Sequence, residues 1–201
     1  MKWNSNIAYV VGLITTDGNL SKDGRHIVFV SKDITLVKLF KKCLGLKNKI
    51  SIKTSGYSKG KGRYYFIQFG DVMLYKELLS IGLSPNKSKN IAKLLIPEGY
   101  FPDFLRGHLD GDGTFRTYND PVYLNNKRLY VTFMSASKAH ICWLQHQIRK
   151  FYEIIGRIRA VPRAWILTYA KNESKILLSR IYYRKRLPSL LRKKHLVKDY
   201  I

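Results

Sequence analysis

Two nine-residue stretches of this chain repeat one another. VVGLITTDG occupies residues 10–18 and LRGHLDGDG residues 105–113. They align without a gap: Gly12 falls on Gly107, Leu13 on His108, Asp17 on Asp112 and Gly18 on Gly113. A duplication constrains the fold strongly, because it requires two copies of one supersecondary unit packed together. The likeness continues downstream in the same order. IVFVSKD (27–33) resembles VTFMSAS (131–137), and each leads into apolar residues at helical spacing: Ile34, Val37, Phe40 and Leu44, then Ile141, Leu144, Ile148 and Phe151. Strand-like pairs follow, KISIKTS (49–55) with RYYFIQF (63–69) and IIGRIRAV (154–161) with AWILTYA (164–170). A second helix comes after each pair, around 71–80 and 172–183, where LLS recurs at 78–80 and 177–179.

The reading is an α+β chain of two αββαββα halves related by a pseudo-twofold axis. The first repeat is 1–80 and the second 101–183. They are joined by a linker, 81–100, with breakers at Gly82, Pro85, Pro97 and Gly99. A basic C-terminal segment, 184–201, forms a final helix or arm. The strands alternate. In RLYVTFM, Leu129, Val131 and Phe133 oppose Arg128, Tyr130 and Thr132; in KISIKTS, Ile50 and Ile52 oppose Lys49, Ser51, Lys53 and Ser55; Arg157 and Arg159 flank Ile158. One apolar and one basic-polar face is what two half-buried antiparallel sheets need.

Read as helices, the two repeated stretches have a broad apolar face interrupted by glycine. A mid-helix glycine costs about 1 kcal/mol relative to alanine. Gly12 and Gly107 make sense where two helix backbones approach closely, at a seam along the pseudo-twofold. Gly18 and Gly113 read as C-terminal helix stops. Asp17 and Asp112 then sit at adjacent helix C-termini, where the helix dipole disfavours a carboxylate and the two repel one another. Hard oxygen ligands at such a place suit Mg²⁺.

Charge identifies the partner class. Among 201 residues, 37 Lys and Arg stand against 13 Asp and Glu, a formal net charge of +24, spread along the whole chain. An excess of this size is self-repulsive unless a polyanion is bound. Fourteen Tyr among these cations favour nucleic acid over an anionic membrane, and duplex DNA shares the chain's approximate twofold symmetry. The basic faces and turns assign DNA contacts to Arg25, Lys53, Arg63, Arg116, Arg128, Tyr130, Arg157, Arg159 and Arg163. Apolar runs are too short to cross a bilayer. The N-terminus MKWNSNIAYVV has no secretory pattern. Cys43 and Cys142 show no metal-binding spacing. These features point to an intracellular protein. His140 and His146 are six apart, the wrong spacing for a shared metal, and His108 reads as a packing residue.

VVGLITTDG and LRGHLDGDG resemble the paired motifs of the LAGLIDADG homing endonucleases in their single-chain, two-repeat form. PEGYFPDFLRGHLDGDGTF is the more specific half, and GLSPNKSK before it fits as well. The resemblance implies motif helices at the centre and two curved sheets forming a saddle over double-stranded DNA. It implies a monomer with internal pseudo-symmetry. It makes the second acidic position of each motif, Asp17 and Asp112, the metal ligand, assisted by the carbonyls of Thr16 and Gly111. The first acidic position is Asp110 in the second motif and Thr15 in the first. The implied reaction is Mg²⁺-dependent hydrolysis of both strands across the minor groove, leaving short 3′ overhangs, with Mn²⁺ or Ca²⁺ substituting for binding. Basic residues near the scissile phosphates would be Lys32 and Lys171, with Lys193 and Lys194 as weaker candidates. The equivalents of Lys32 and Lys171 in the other half are Ala136 and Asp71. Two other readings are a non-cleaving binder on the same fold, either an RNA maturase or a transcription regulator, and an endonuclease domain cut from an intein. The ends MKWNSN and KDYI carry no splicing-type residues, so the expectation is a free-standing protein of a mobile intron.

Overall fold

The computed structural model describes residues 2–54, 62–123 and 127–201. The first half runs α1 (Ser5–Asp17), β1 (Gly18–Leu20), β2 (His26–Ser31), α2 (Ile34–Cys43), β3 (Ser51–Thr54), β4 (Arg63–Gly70) and α3 (Val72–Ser80). After a 3-10 turn at Glu98–Tyr100, the second half repeats the order: α4 (Phe101–Gly111), β5 (Thr114–Asn119), β6 (Lys127–Ser135), α5 (Lys138–Tyr152), β7 (Arg157–Val161), β8 (Ala164–Tyr169) and α6 (Lys171–Ile181). A short α7 (Leu191–Leu196) and a 3-10 turn at Lys198–Tyr200 follow. The helix starts are written locally. Side chains of Asn4, Asp33, Asp71 and Ser137 accept from backbone N–H groups of the first turns of α1, α2, α3 and α5.

The strands form two four-stranded antiparallel sheets with one topology, β1-β2-β4-β3 and β5-β6-β8-β7. Matching registers confirm the duplication: Gly18 pairs with Phe29 and Ser31 with Tyr65 in one sheet, Thr114 with Thr132 and Ser135 with Trp165 in the other. Each sheet buries alternate residues, Ile27, Phe29, Ile67 and Phe69 in the first and Leu129, Val131, Phe133 and Leu167 in the second. These faces pack with the helices into one core.

The seam between halves is α1 against α4. A Cβ on Gly12 would overlap the Phe104 carbonyl and stand 2.7 Å from His108 N; one on Gly107 would overlap the Tyr9 carbonyl. Both glycines are therefore required by backbone contact. Gly18 and Gly113 follow the helices, but not as left-handed stops. Gly18 is extended, with φ −86° and ψ 159°. A side chain there would stand 2.6 Å from Ile14 Cα, and one on Gly113 2.6 Å from Leu109 Cα. Crowding as the chain turns straight from helix into strand, not positive φ, selects glycine.

Two other sequence expectations change, and one is not reached. Ile52 lies on the core side of β3 but is 57% exposed, on a short strand at the edge of the sheet. Ser55 lies outside the described residues. The linker is packed: Leu83, Ile91 and Leu94 are buried, and the Ile91 and Ala92 carbonyls bond to Ser137 Oγ and His140 Nδ1 of α5.

Candidate functional site

The α1 and α4 C-termini bring Asp17 and Asp112 together. α4 closes on Asp112, and a Cβ on Gly111 would stand 3.1 Å from Asp17 Oδ2, so the Asp17 carboxylate lies against the end of the opposite helix. Burial and the neighbouring Asp112 push the Asp17 carboxyl up to about 7, against the pull of Lys193 and Lys87. Burial also raises Asp112, and the same two lysines oppose it.

The motif's first acidic position is used differently. Asp110 is buried, and its Oδ2 accepts from Tyr9 Oη across the seam at 2.7 Å and from Leu190 N at 2.7 Å. Its equivalent, Thr15, donates to Val11 O at 2.8 Å within its own helix. Tyr9 and Asp110 thus tie the helices together and leave the two-residues-later position to face outward. Thr16 is half-buried and donates to Leu13 O at 3.0 Å.

Two buried lysines flank the pair. Lys193 is 9% exposed, and its Nζ donates to the carbonyls of Leu109 (2.7 Å), Asp110 (2.9 Å), Gly111 (3.1 Å) and Gly113 (2.7 Å). Lys87 is 4% exposed and donates to the Gly18 carbonyl. Gly18 and Gly113 are equivalent positions, so each half sends one lysine from the segment after its last helix to cap its own motif helix. A cation there offsets both the orphan carbonyls and the carboxylates. Burial lowers Lys87 to about 8 and lowers Lys193 as well, while Asp17 and Asp112 hold both up. Sequence reasoning passed over Lys87. Its signal was a cation between the apolar anchors Leu83 and Ile91, inside GLSPNKSK. Lys194 is half-buried with its ammonium over the Tyr182 ring.

No group of three or more His, Cys, Asp or Glu converges among the described residues. The donors at the helix ends are two carboxylates and main-chain oxygens. That set fits Mg²⁺, which keeps waters and completes its shell with substrate phosphate rather than with a protein cage. Of the carbonyl candidates, Gly111 already accepts from Lys193.

The other basic residues fall into place by register. Lys32 follows β2 on the groove side, its ammonium over the Tyr64 ring at 5.3 Å. Its equivalent Ala136 lines a small cavity with Asp112, Thr16 and His108. Lys171 is not brought to the carboxylates. Tyr169 pairs with Val131, so Lys171 lies level with Leu129, whereas Ser135, at the other end of β6, lines Asp112's cavity. At about 3.3 Å per residue that places it about 20 Å away.

Lys53, Arg116, Arg128, Tyr130, Arg157 and Arg159 share the sheet faces turned from the core. A broad open groove over the second sheet is lined by Arg116, Tyr130, Arg157 and Arg159. Tyr118 stacks on Tyr130, with the Arg116 guanidinium over Tyr118. Arg128 Nε donates to Asp120 Oδ2 at 2.5 Å, and the other oxygen of Asp120 accepts from Val122 N and Tyr123 N. Arg63 departs from the pattern: it shares parity with Tyr65, Ile67 and Phe69, on the core side of β4, and is exposed at the start of that strand. Arg25 sits exposed in the β1–β2 turn and Arg163 in the β7–β8 turn. His108 packs in the core against His140, Nε2 to Nε2 at 3.2 Å, while His146 is exposed.

No family model and no curated protein matches the chain. Solved structures do match. The homing endonuclease I-WcaI bound to its DNA recognition sequence superposes with a TM-score of 0.70 at 12% identity, over 96% of this chain and 88% of that one. The LAGLIDADG meganuclease I-AabMI bound to uncleaved DNA gives 0.61 at 16%, over 98% and 89%. This chain has the LAGLIDADG fold. Full-length DUF199/WhiA from Thermatoga maritima gives 0.60 at 17%, over 97% of this chain and 66% of that protein's length. Within the LAGLIDADG architecture, α1 and α4 are the central motif helices and the two sheets are the arms. No helix among the described residues is long and apolar enough to cross a membrane.

Proposed function

We propose that this chain is a sequence-specific endonuclease that binds double-stranded DNA as a pseudo-symmetric monomer and hydrolyses both strands with a divalent metal, leaving short 3′ overhangs. The observation that carries this reading is the symmetric pair Asp17 and Asp112 at the ends of the seam helices, each helix capped by its own buried lysine. A pure binder has no use for two repelling carboxylates there. The shared fold with homing endonucleases solved on DNA supports the same reading, as does the net charge of +24.

Asp17 and Asp112 would hold the cation, with the Thr16 and Gly111 carbonyls assisting. Mg²⁺ is the expected ion, and Mn²⁺ or Ca²⁺ would support binding. When bound, such an ion polarises a phosphodiester and activates water. The chain's own groups do the rest. Lys87 and Lys193 place positive charge beside the carboxylates and oppose their protonation, Lys32 supplies charge beside one scissile phosphate, and the basic sheet faces hold the duplex in register. An intracellular mobile-intron protein fits this activity.

The test is cleavage of a randomised duplex library in Mg²⁺. Asp17→Asn and Asp112→Asn should each lower double-strand cleavage by about 100-fold or more while binding in Ca²⁺ persists, and EDTA should stop cutting. Full cleavage by either variant would overturn the metal assignment. Wild-type protein that binds duplex without cutting would favour the RNA maturase or transcription regulator.

A further inference from the structure

The two halves differ at one matching place. Ser31 pairs with Tyr65 and Ser135 with Trp165, so Lys32 and Tyr64 in the first half correspond to Ala136 and Ala164 in the second. In the first half the Lys32 ammonium covers the Tyr64 ring. In the second, two alanines leave an open cleft whose lining includes Ala136, Ala164, Lys89 and Arg163. Its described lining holds no carboxylate. Ala136 also lines the cavity that contains Asp112 and Ser135, so the cleft opens beside the metal-binding end of α4.

Arg163 reaches this place at a conformational cost. Val161 pairs with Ala164, leaving Pro162 and Arg163 as a two-residue turn. Arg163 has φ +63°, in the left-handed region. Glycine or asparagine is favoured at the third place of a turn with proline second. A strained arginine, exposed at a cleft with a second cation, is a functional signal. Lys89 arrives independently, from the segment joining the halves.

We propose that this cleft binds a backbone phosphate of the DNA, with Arg163 and Lys89 supplying in the second half the charge that Lys32 supplies in the first. The inference rests on the DNA-binding reading above and adds that the two cleavage centres are served by different residues.

Arg163→Gly separates function from folding, because glycine accepts positive φ without strain. Binding is measured in Ca²⁺ against salt, on a duplex selected by the wild-type protein from a randomised library. Cutting is then followed in Mg²⁺ on that duplex with each strand labelled separately. The variant should melt no lower than wild type. Its log–log salt slope should fall by about 1, as for one lost phosphate contact. Cleavage of one strand should slow about tenfold or more relative to the other. Ala136→Lys added to Arg163→Gly should restore the slope and the strand ratio. An unchanged slope and ratio would overturn the inference, as would a lowered melting point with equal loss on both strands. Wild-type protein that binds but never cuts would overturn the nuclease reading alone, leaving the slope to decide this one. Protein that binds no duplex would overturn both.

Discussion

Gly107 shows how little freedom the seam leaves. A methyl group there meets the Tyr9 carbonyl, and its twin at Gly12 meets the Phe104 carbonyl. Both obstacles are backbone, which cannot swing aside as a flexible side chain can. Gly107→Ala should destabilise the protein by about 3 kcal/mol or more, at the upper end for overpacking, as read by urea unfolding. Gly99→Ala, where a Cβ meets nothing within 4 Å, is the control and should change little. Asp110 and Asp112 make the complementary point. They lie two residues apart, yet one is held by Tyr9 and Leu190 N and the other faces the site. Both donors meet the same oxygen of Asp110, Oδ2, and its Oδ1 is buried without a hydrogen-bond partner among the described residues, so this carboxylate ties the seam rather than facing the site.

At the scale of elements, α4 and α5 are joined by His108 and His140. His140 Nδ1 lies 2.9 Å from the Ala92 carbonyl and its Nε2 lies 3.2 Å from His108 Nε2. A protonated Nδ1 on His140 leaves its Nε2 free to accept from His108, which requires the His140 ring to be neutral. Burial, with Lys87 nearby, holds His140 down at about 4, and burial with His140, Lys193 and Lys87 holds His108 well below the ordinary range. The unfolded chain therefore takes up protons that the folded one refuses. The histidines' own contribution to stability should be flat above about pH 6.5 and fall as pH drops toward 4, by on the order of 3 kcal/mol from His140 alone, while Asp17, raised to about 7, works in the opposite direction over the same range. The difference between the denaturant midpoints of wild type and His140→Gln, followed across that range, isolates the histidine contribution and should shrink as pH falls. A profile identical in wild type and variant would contradict the neutral pair.

This tie was illegible in the sequence, where His140 was weighed against His146 on its own helix, because the real partner comes from the other end of the half. Helices and strands were legible because their apolar periods of 3.6 and 2 are local. The seam glycines and the two aspartates followed from the repeat itself. Lys87 and Lys193 were not resolved, since their place depends on where a connecting segment folds back. Lys171 was placed at the wrong end of its sheet because strand register decides which end a residue reaches.

For the molecule as a whole, the two arms are unequal readers. On the described strands, the groove face of the first sheet offers Asn19, His26, Val28, Val30, Phe66 and Gln68, with Lys53 as its cation. The second offers Arg116, Arg128, Arg157 and Arg159. Asn and Gln pair with adenine, apolar groups meet the thymine methyl, and arginine pairs with the O6/N7 edge of guanine. Asp120 fixes one edge of the Arg128 guanidinium and leaves the other free for such a pair. A selected target should therefore be asymmetric, richer in contacted guanines in the half under the second sheet and in A·T pairs under the first. Arg128→Ala should relax preference at few positions and only in the guanine-rich half, at about 1–3 kcal/mol per base pair. Asp120→Asn should relax the same positions more weakly, with Asp120→Glu closer to wild type, since it acts only by holding the arginine. A uniform loss of affinity across sequences would instead make Arg128 a phosphate contact. Equal base composition in both halves would mean that the arginines serve the backbone and that shape, not side-chain pairing, sets the specificity of that arm.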